Sequence, residues 1–264
     1  MKQLNLLNET REEETIRFIQ EHEPPEGYFL GFSGGKDSVV MYDLAKKSGA
    51  KFQAYYADTG IDPPELVKFI KENYPDVIFL KPHLTRKRKF PNWKGTRSFF
   101  GMIQACGYPT RINRWCCNVL KKDPSKNIPL KHRLMGIRAE ESAARANRPR
   151  IDYFKNYKQW LYKPIFFWLE WEIWEYIENN NLLYCSLYDE GFDRLGCVVC
   201  PFHSYKLHQK HKEHWPKYFV AFEKAMKKLF DNYLYVKDPR SGAINYSIRV
   251  HTFEDFLENW YKGI

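Results

Sequence analysis

The stretch Ser33-Gly34-Gly35-Lys36-Asp37-Ser38 carries the residue types that hold a phosphate group: two glycines, two hydroxyls, an amine and a carboxylate. The apolar run before it, residues 28–32, is typical of a buried strand, and the run after it, residues 39–45, is typical of a helix. Backbone N–H groups at a helix N-terminus attract anions, and glycines let an anion approach the backbone closely. The sequence therefore predicts an anion-binding loop at residues 33–38.

This loop differs from a Walker A loop. Too few residues separate Gly31 from Gly35, and Asp37 stands where a serine or threonine would follow the lysine. Lys36 adds positive charge to the loop. Asp37 is a candidate ligand for Mg²⁺, which binds through phosphates together with one or two carboxylates. A glycine turn that only reverses the chain is the alternative interpretation.

Polar side chains also follow two other predicted strands, as Asp58-Thr59-Gly60 and as residues 136–145. Arg138 and Arg145 can each hold phosphate oxygens with two parallel hydrogen bonds, and Ser142 adds a hydroxyl. Because ligands of parallel sheets bind at the carboxyl ends of the strands, we expect residues 58–60 to share a crevice with the glycine loop. Ordinary solvated turns are the alternative for both stretches.

Four of the cysteines form two pairs that are far apart in the sequence. Cys116 and Cys117 are adjacent, and Cys197 and Cys200 form a Cys-x-x-Cys pair. A cytosolic chain keeps its thiols reduced, so we expect a four-thiolate site rather than disulfides. Such a site suits a [4Fe–4S] cluster or zinc. Adjacent cysteines fit the separate iron corners of a cluster better than one tetrahedral ion, and buried free thiols are the alternative.

The order of the predicted elements defines the fold class. Apolar runs at residues 28–32, 52–57 and 77–80 are typical of strands, and helical patterns lie between them. This spacing predicts an α/β fold, in which helices flank a parallel, twisted sheet. We expect one domain over residues 1–204 and a basic, aromatic-rich, helical extension over residues 205–264 that packs on it.

Two more strands and one helix are predicted in the middle of the chain. The strands are expected at residues 134–137 and 160–162, and the helix at residues 169–177. Within this helix, Trp171 and Trp174 are three residues apart, which is typical of packing against a core.

Composition and charge limit the classes of function. The 264 residues include 42 Lys and Arg against 32 Asp and Glu, and the net charge of +10 favours a polyanionic partner. Hydrophobic content of 44% and aromatic content of 17% exclude a disordered chain. No apolar run approaches the roughly 20 residues of a membrane helix. The N-terminus lacks an apolar signal core, so we expect a cytoplasmic protein without a membrane partner.

Two basic stretches are candidate contacts to a nucleic-acid backbone. Residues 86–89 read Arg-Lys-Arg-Lys, and Lys206, Lys210 and Lys212 lie near the end of the chain. A solvated loop is the alternative for residues 86–89. Histidines lie among the later lysines, and their spacing predicts a wet helical surface rather than a metal site. They are His203, His208, His211 and His214.

Together the motifs resemble those of a known family. The loop at residues 33–38, between a strand and a helix, resembles the PP-loop of the adenine-nucleotide alpha-hydrolases. Residues 58–60 and 136–145 are similar to stretches of the phosphoadenosine phosphosulfate reductases and their relatives. The cysteine pattern resembles that of the iron–sulfur members, namely adenylylsulfate reductases and the ATP pyrophosphatases of bacterial DNA phosphorothioation. The resemblance covers residues 28–204, and residues 205–264 take no part in it.

This resemblance implies an ATP pyrophosphatase that adenylylates an acceptor for sulfur incorporation, and the DNA backbone phosphate is the favoured acceptor. It implies ATP, Mg²⁺ and a [4Fe–4S] cluster as cofactors, with zinc the less favoured occupant of Cys116, Cys117, Cys197 and Cys200. The expected partners are DNA and a sulfur donor such as a cysteine desulfurase. The catalytic candidates are Lys36, Asp37, Arg138 and Arg145. The nucleotide-binding candidates are Ser33, Gly34, Gly35, Lys36, Asp37, Ser38, Asp58, Thr59, Gly60, Arg138 and Ser142.

Other functions stay open at this point. Sulfonucleotide reductases of the family attack sulfur with a cysteine in a Glu-Cys-Gly motif near the C-terminus, whereas the last cysteine here is Cys200. Only Cys106 and Cys185 remain as nucleophiles, so the reductase is ranked second. A tRNA thiolation enzyme and a non-catalytic nucleotide or metal sensor are further alternatives. The sequence names neither acceptor, sulfur donor nor oligomeric state, and it allows a homodimer.

Overall fold

The computed structural model describes residues 9–82, 98–237, 244–246 and 252–263. The basic run at residues 86–89 lies outside this described part of the chain. No helix in the described part is both long and apolar enough to cross a membrane.

The chain forms two compact units, each assembled from three segments. The sheet unit comprises Met1–Ala57, Pro64–Leu80 and Ser125–Leu195. The helical unit comprises Asp58–Pro63, Lys81–Pro124 and Gly196–Ile264. The predicted domain boundary at residue 204 stays a prediction.

The sheet unit is built on six strands in the order β3-β2-β1-β4-β6-β5. All neighbouring strands are parallel except β5, which pairs with β6 in antiparallel orientation. This arrangement confirms the predicted α/β fold with a mostly parallel sheet. The strands are β1 Tyr28–Gly31, β2 Phe52–Ala57, β3 Ile78–Leu80, β4 His132–Met135, β5 Ile151–Phe154 and β6 Gln159–Tyr162.

Strand β1 lies inside the sheet, and its composition explains why. Tyr28, Phe29 and Leu30 are each 5% exposed or less, as expected of a parallel strand that is covered on both faces. Leu30 pairs with Ala54 of β2 on one side and with Leu134 of β4 on the other. The residues after β1 and β4 therefore emerge at the same, carboxyl edge of the sheet.

Strand β5 is an element that the sequence pattern did not predict. It is short, and its residues are half-buried or exposed, so it lacks the apolar run that marks the inner strands. The ring of Tyr153 lies 4.9 Å from that of Trp160 on β6, centroid to centroid. Cross-strand contacts of this kind stabilise a short edge strand whose own burial is slight.

The helices of the sheet unit follow the predicted order. The first is capped by Thr10, whose side chain and backbone exchange hydrogen bonds with Glu13. The prediction that Trp171 packs against a core is wrong, since its side chain is 54% exposed. The buried face of the same helix carries Ile173 and Ile177 instead. The helices are α1 Arg11–Glu21, α2 Lys36–Lys47, α3 Pro64–Asn73, α5 Ala143–Ala146 and α6 Glu170–Asn179.

The helical unit has an aromatic core. Phe222 lies between Phe99 and Trp260, with ring centroids 6.3 and 4.5 Å away. The indole N–H of Trp260 donates to the carbonyl of Pro109 at 2.6 Å, which satisfies its polar atom in the core. The predicted helical C-terminal region is confirmed. The elements of the helical unit are α4 Phe99–Cys106, α7 Tyr205–His214, α8 Pro216–Leu229, α9 Phe253–Lys262 and the antiparallel strands β7 Tyr235–Lys237 and β8 Ile244–Tyr246.

Two histidines of α7 belong to this core, so the prediction of a wet surface is wrong for them. His208 and His211 are 1% and 2% exposed, whereas His214 is exposed. The ring of His208 packs against Trp260 and Tyr261, with centroids 5.1 and 5.3 Å away. Neither of its ring nitrogens has a hydrogen-bond partner among the described residues. Burial therefore lowers the pKa of His208 to about 4.

We expect the buried His208 to make folding depend on pH. The unfolded chain protonates this ring near its ordinary pKa of 6.5, and the folded chain does so only near 4. Stability is therefore fully present above pH 6.5 and falls as the pH drops toward 4, by at most about 3 kcal/mol. Denaturant unfolding at a series of pH values should show this loss for the wild type, and His208→Leu should reduce it.

The exposed neighbour His214 provides the matched control. His214→Gln should leave the pH dependence of the wild type unchanged. An equal pH dependence in His208→Leu and the wild type would contradict the assignment of the loss to His208.

Candidate functional site

The glycine loop follows β1 and is braced by its own hydroxyls. The backbone N–H of Ser33 donates to Ser38 Oγ at 3.2 Å, and Ser38 Oγ donates to the carbonyl of Gly35 at 2.8 Å. Gly34 has a φ of +74°, and a Cβ there would lie 2.7 Å from Leu66 Cδ1 on α3. A side chain at residue 34 would strain the backbone and crowd α3, so the loop requires this glycine.

The loop leads into the N-terminus of α2. Gly35 is the N-cap residue and offers no capping side chain. The backbone N–H of Lys36 instead donates to the hydroxyl oxygen of Tyr188 at 2.9 Å. Burial raises the pKa of Tyr188, so this hydroxyl keeps its proton and can still donate it. Tyr188 was not predicted from the sequence, because no local pattern links it to Lys36, which is distant in the chain.

The side chain of Lys36 is buried and held by several partners. Its Nζ donates to the carbonyl of Asp193 at 3.0 Å and lies 3.2 Å from Glu170 Oε1. It also lies over the rings of Tyr188 and Trp174, 5.2 and 5.9 Å from their centroids. These contacts compensate the cost of burying an ammonium group.

Arg138 connects the end of the β4 region to the glycine loop. It is 3% exposed, and its Nε donates to Asp37 Oδ1 at 2.5 Å across 101 residues of sequence. Its NH1 donates to Glu140 Oε2 at 2.5 Å, and its NH2 lies 3.8 Å from Glu170 Oε2. The structure thus brings together Lys36, Asp37 and Arg138, three of the predicted catalytic residues.

Arg145 lies in the short helix α5, whose first turn is capped by Ser142 Oγ accepting from the backbone N–H of Arg145. Its guanidinium forms an ion pair with Glu141. Burial lowers the pKa of Arg145, the nearby charge of Arg194 lowers it further, and that of Asp37 raises it. Arg145 therefore lies within electrostatic range of Asp37, and Arg194 is a second nearby cation that was not predicted from the sequence.

Residues 58–60 form a tight turn in the helical unit. Gly60 has a φ of +72°, and its N–H donates to Asp58 Oδ1 at 3.1 Å. Thr59 is buried, and its hydroxyl donates to Asp62 Oδ2 at 2.8 Å. These bonds explain the residue types of the turn. A shared crevice with the glycine loop stays a prediction.

The two cysteine pairs lie in the helical unit and interact with one another. Cys117 raises the pKa of Cys116 through a hydrogen bond, burial raises it further, and charge on Cys197 and Cys200 adds to the effect. Since the pKa of Cys117 is lowered by the same bond, Cys117 ionises before Cys116. Within the described residues, no group of three or more His, Cys, Asp or Glu has the arrangement of a metal site.

Cations lie beside these thiols. The guanidinium NH2 of Arg114 is 3.9 Å from Cys117 Sγ and helps to lower the pKa of that thiol. Charge on Cys197 raises the pKa of Lys121. Burial raises the pKa of Cys197 to about 12, against the effect of Lys121. Positive charge therefore lies beside the thiols of Cys117 and Cys197.

The other two cysteines differ in access. Cys185 is 1% exposed, and burial raises its pKa, so it is a poor nucleophile. Cys106 is half-buried at the C-terminal end of α4. Cys106 is thus the better candidate of the two.

Comparison with known proteins identifies a shared domain. The sequence family described as "Phosphoadenosine phosphosulfate reductase domain" matches residues 27–203. An uncharacterised protein of Methanocaldococcus jannaschii is 31% identical over 208 residues, which is 75% of this chain and 41% of that protein. An adenosine 5'-phosphosulfate reductase of Shouchella clausii is 29% identical over 175 residues, which is 64% of this chain and 68% of that protein.

Solved structures share the fold. A phosphoadenylyl-sulfate reductase from Candida auris has a TM-score of 0.53 at 19% identity, over 73% of this chain and 90% of that one. An FMN adenylyltransferase from Candida glabrata has a TM-score of 0.51 at 15% identity, over 71% of this chain and 62% of that one. The chain spans less than half of the Methanocaldococcus relative.

Substitution of Gly136 tests the close packing of the segment after β4 against the first turn of α2. A Cβ at this position would lie 2.9 Å from the carbonyl oxygen of Asp37 and 3.3 Å from the backbone nitrogen of Ser38. We expect Gly136→Ala to displace the start of α2 and to weaken binding of inorganic pyrophosphate by about tenfold, a loss near 1.4 kcal/mol. Titration calorimetry measures this change.

Gly49→Ala serves as the control at the other end of α2. Its Cβ would meet open space, and its φ of +72° makes the substitution mildly destabilising. Equal pyrophosphate affinity in Gly136→Ala and Gly49→Ala would contradict the prediction that the packing at Gly136 positions the start of α2 for pyrophosphate binding.

Proposed function

Because the chain belongs to the phosphoadenosine phosphosulfate reductase domain family, we propose that it binds an adenine nucleotide at residues 33–38 and uses it in sulfur chemistry. In its finer form, the proposal is an ATP pyrophosphatase that adenylylates an acceptor for sulfur incorporation. The observation that carries it is the pairing of Arg138 with Asp37 at the start of α2. The pairing holds the buried guanidinium of Arg138 and the carboxylate of Asp37 at the N-terminus of α2, where a helix attracts anions.

The loop supplies the means to hold a pyrophosphate group. On binding, the loop's N–H groups and the hydroxyls of Ser33 and Ser38 would exchange their present hydrogen bonds within the site for bonds to phosphate oxygens. Arg138 can stabilise negative charge as it develops, and Arg145 lies in electrostatic range of the same loop. Asp37 is the proposed carboxylate for Mg²⁺, which would screen the phosphate charges when bound.

The proposed reaction exchanges one bond at the α-phosphorus of ATP. An oxygen of the acceptor forms a bond to this phosphorus, the bond to the bridging oxygen of the β-phosphate breaks, and pyrophosphate leaves with the electron pair. On a DNA phosphate the product is a phosphoric anhydride between the acceptor and AMP. The terminal sulfur of a persulfide on the sulfur donor, such as a cysteine desulfurase partner, then forms a bond to the acceptor's phosphorus, and AMP leaves with the electron pair of the P–O bond. A thiol reductant cleaves the remaining S–S bond and leaves the sulfur on the acceptor. Lys36 and Arg138 assist by neutralising charge on the departing phosphates.

A [4Fe–4S] cluster is proposed on Cys116, Cys117, Cys197 and Cys200, with zinc as the alternative occupant. Support comes from the mutual effects of the four thiols on the pKa of Cys116. A cluster there would supply structural cross-linking or sulfur and electron chemistry. Arg114 would balance part of the thiolate charge from its place beside Cys117.

DNA is the proposed acceptor, in line with the net charge of +10. Of the proposed backbone contacts on α7, Lys206 is exposed and Lys210 is half-buried. Lys212 forms an ion pair with Glu223 at 2.6 Å, so it offers less charge to a phosphate. Lys206 is therefore the best of the three.

A sulfonucleotide reductase is the second candidate, favoured by identities of 25–29% to several adenosine 5'-phosphosulfate reductases. This reaction needs a thiolate that attacks the sulfur of the substrate. Cys106 is the proposed nucleophile, because Cys185 is buried. A tRNA thiolation enzyme has no comparable observation in its favour.

Nucleotide product analysis separates the two candidates. The protein, purified without oxygen, is incubated with Mg²⁺ and ATP, or separately with an adenine sulfonucleotide and a thiol. AMP and pyrophosphate from ATP support the pyrophosphatase. Sulfite from the sulfonucleotide, with ATP intact, would replace it with the reductase, and loss of sulfite release in Cys106→Ser would identify the nucleophile.

Two substitutions test the roles of the loop in ATP cleavage. Lys36→Ala and Asp37→Ala should each lower the rate of AMP formation by about 100-fold, because the first removes a cation at the phosphates and the second removes the proposed ligand of Mg²⁺. The rate is measured by chromatography of AMP at saturating ATP.

Lys46→Ala is the matched control, since Lys46 is an exposed lysine on the same helix. It should cleave ATP at the wild-type rate. Wild-type rates in both loop variants would rule out this mechanism.

A further inference from the structure

Glu170 links the two buried cations of the site. Its Oε1 lies 3.2 Å from Lys36 Nζ, and its Oε2 lies 3.8 Å from Arg138 NH2. The side chains of Lys36 and Arg138 are 6% and 3% exposed, whereas that of Glu170 is 51% exposed. A solvent-accessible carboxylate thus bridges two cations that are themselves almost fully buried.

The other partners of these cations are held more tightly. Arg138 makes hydrogen bonds of 2.5 Å to Asp37 and to Glu140. Lys36 makes a hydrogen bond of 3.0 Å to the backbone of Asp193, which is fixed in the chain. The bridge from Glu170 is longer and more exposed, and exposed ion pairs contribute little free energy. It is therefore the contact that exchanges at the lowest cost.

Among the residues that the structure describes, the ion pair of Arg138 NH2 is with this more distant carboxylate oxygen, whereas Nε and NH1 are engaged by Asp37 and Glu140. The two atoms that Glu170 bridges, Lys36 Nζ and Arg138 NH2, are the donors that would remain for an incoming anion. A carboxylate and a phosphate group both present paired oxygens to such donors.

We propose that Glu170 is a built-in competitor for the phosphate groups of the ligand. A pyrophosphate or nucleotide phosphate displaces its carboxylate from Lys36 and Arg138, and the carboxylate returns when the anion leaves. This inference rests on the proposed function, because it requires a phosphate ligand at this site. The competition weakens binding of the anion and keeps the two buried cations paired when it departs.

Charge-neutral replacement of Glu170 tests the competition. Glu170→Gln keeps the size of the side chain and removes its charge, so inorganic pyrophosphate and, separately, ATP should bind at least about fivefold more tightly than to the wild type. Glu175→Gln is the matched control, because Glu175 is exposed on the same helix α6 and carries the same charge. It should change either Kd by less than about twofold. Titration calorimetry at one fixed salt concentration gives the affinities, and circular dichroism confirms folding.

Each outcome has a definite meaning. Glu170→Gln with the same affinity as Glu175→Gln, or a weaker one, overturns the competition and assigns Glu170 to holding the cations in place. If Glu170→Gln does not fold, Glu170→Ala must show the same tightening, and its failure to do so overturns the inference as well. Wild-type ATP cleavage without tightening leaves the proposed function standing. Folded proteins that bind neither pyrophosphate nor ATP overturn both.

Discussion

The ion pair between Arg138 and Asp37 is the constraint on which the arrangement of the sheet unit's site depends. A buried guanidinium is costly unless its charge is compensated, and Arg138 is 3% exposed. Its bond to Asp37 fixes the first turn of α2 against the segment that follows β4. Gly136 permits this approach, because any larger residue would meet the backbone of Asp37. The glycine loop lies directly before that turn, so its position follows from the same pair.

The sequence was sufficient for the features that depend on neighbouring residues. The parallel strands, the loop at residues 33–38 and the residue types of the 58–60 turn all follow from local periodicity and turn chemistry. Contacts across long separations were not predictable in this way. Lys36 is contacted by Glu170, Tyr188 and Asp193 because the segments that carry these residues pack near α2. No local pattern in residues 170–193 predicts that a lysine is their partner.

Periodicity also fails where it cannot say which face of a helix is covered. Trp171 was expected in a core and is exposed, while His208 and His211 were expected in water and are buried. In α7 the lysines suggested a solvated helix, yet His208 and His211, three residues apart, lie together on the buried face, where His208 packs against Trp260 of α9. The common site predicted from the spacing of the cysteines stays a prediction, although charge on Cys197 and Cys200 affects the pKa of Cys116.

Both units are assembled from segments that alternate along the chain, and this affects the order in which a newly made chain can fold. The helical unit needs residues 196–264 before its aromatic core can form, since Phe99 precedes its partner Phe222 by more than a hundred positions and Phe222 in turn packs against Trp260. Contacts of such long sequence separation slow folding.

During synthesis, Cys116 and Cys117 emerge well before Cys197 and Cys200, so for a time the adjacent pair is exposed to oxidants without the thiols that later lie beside it.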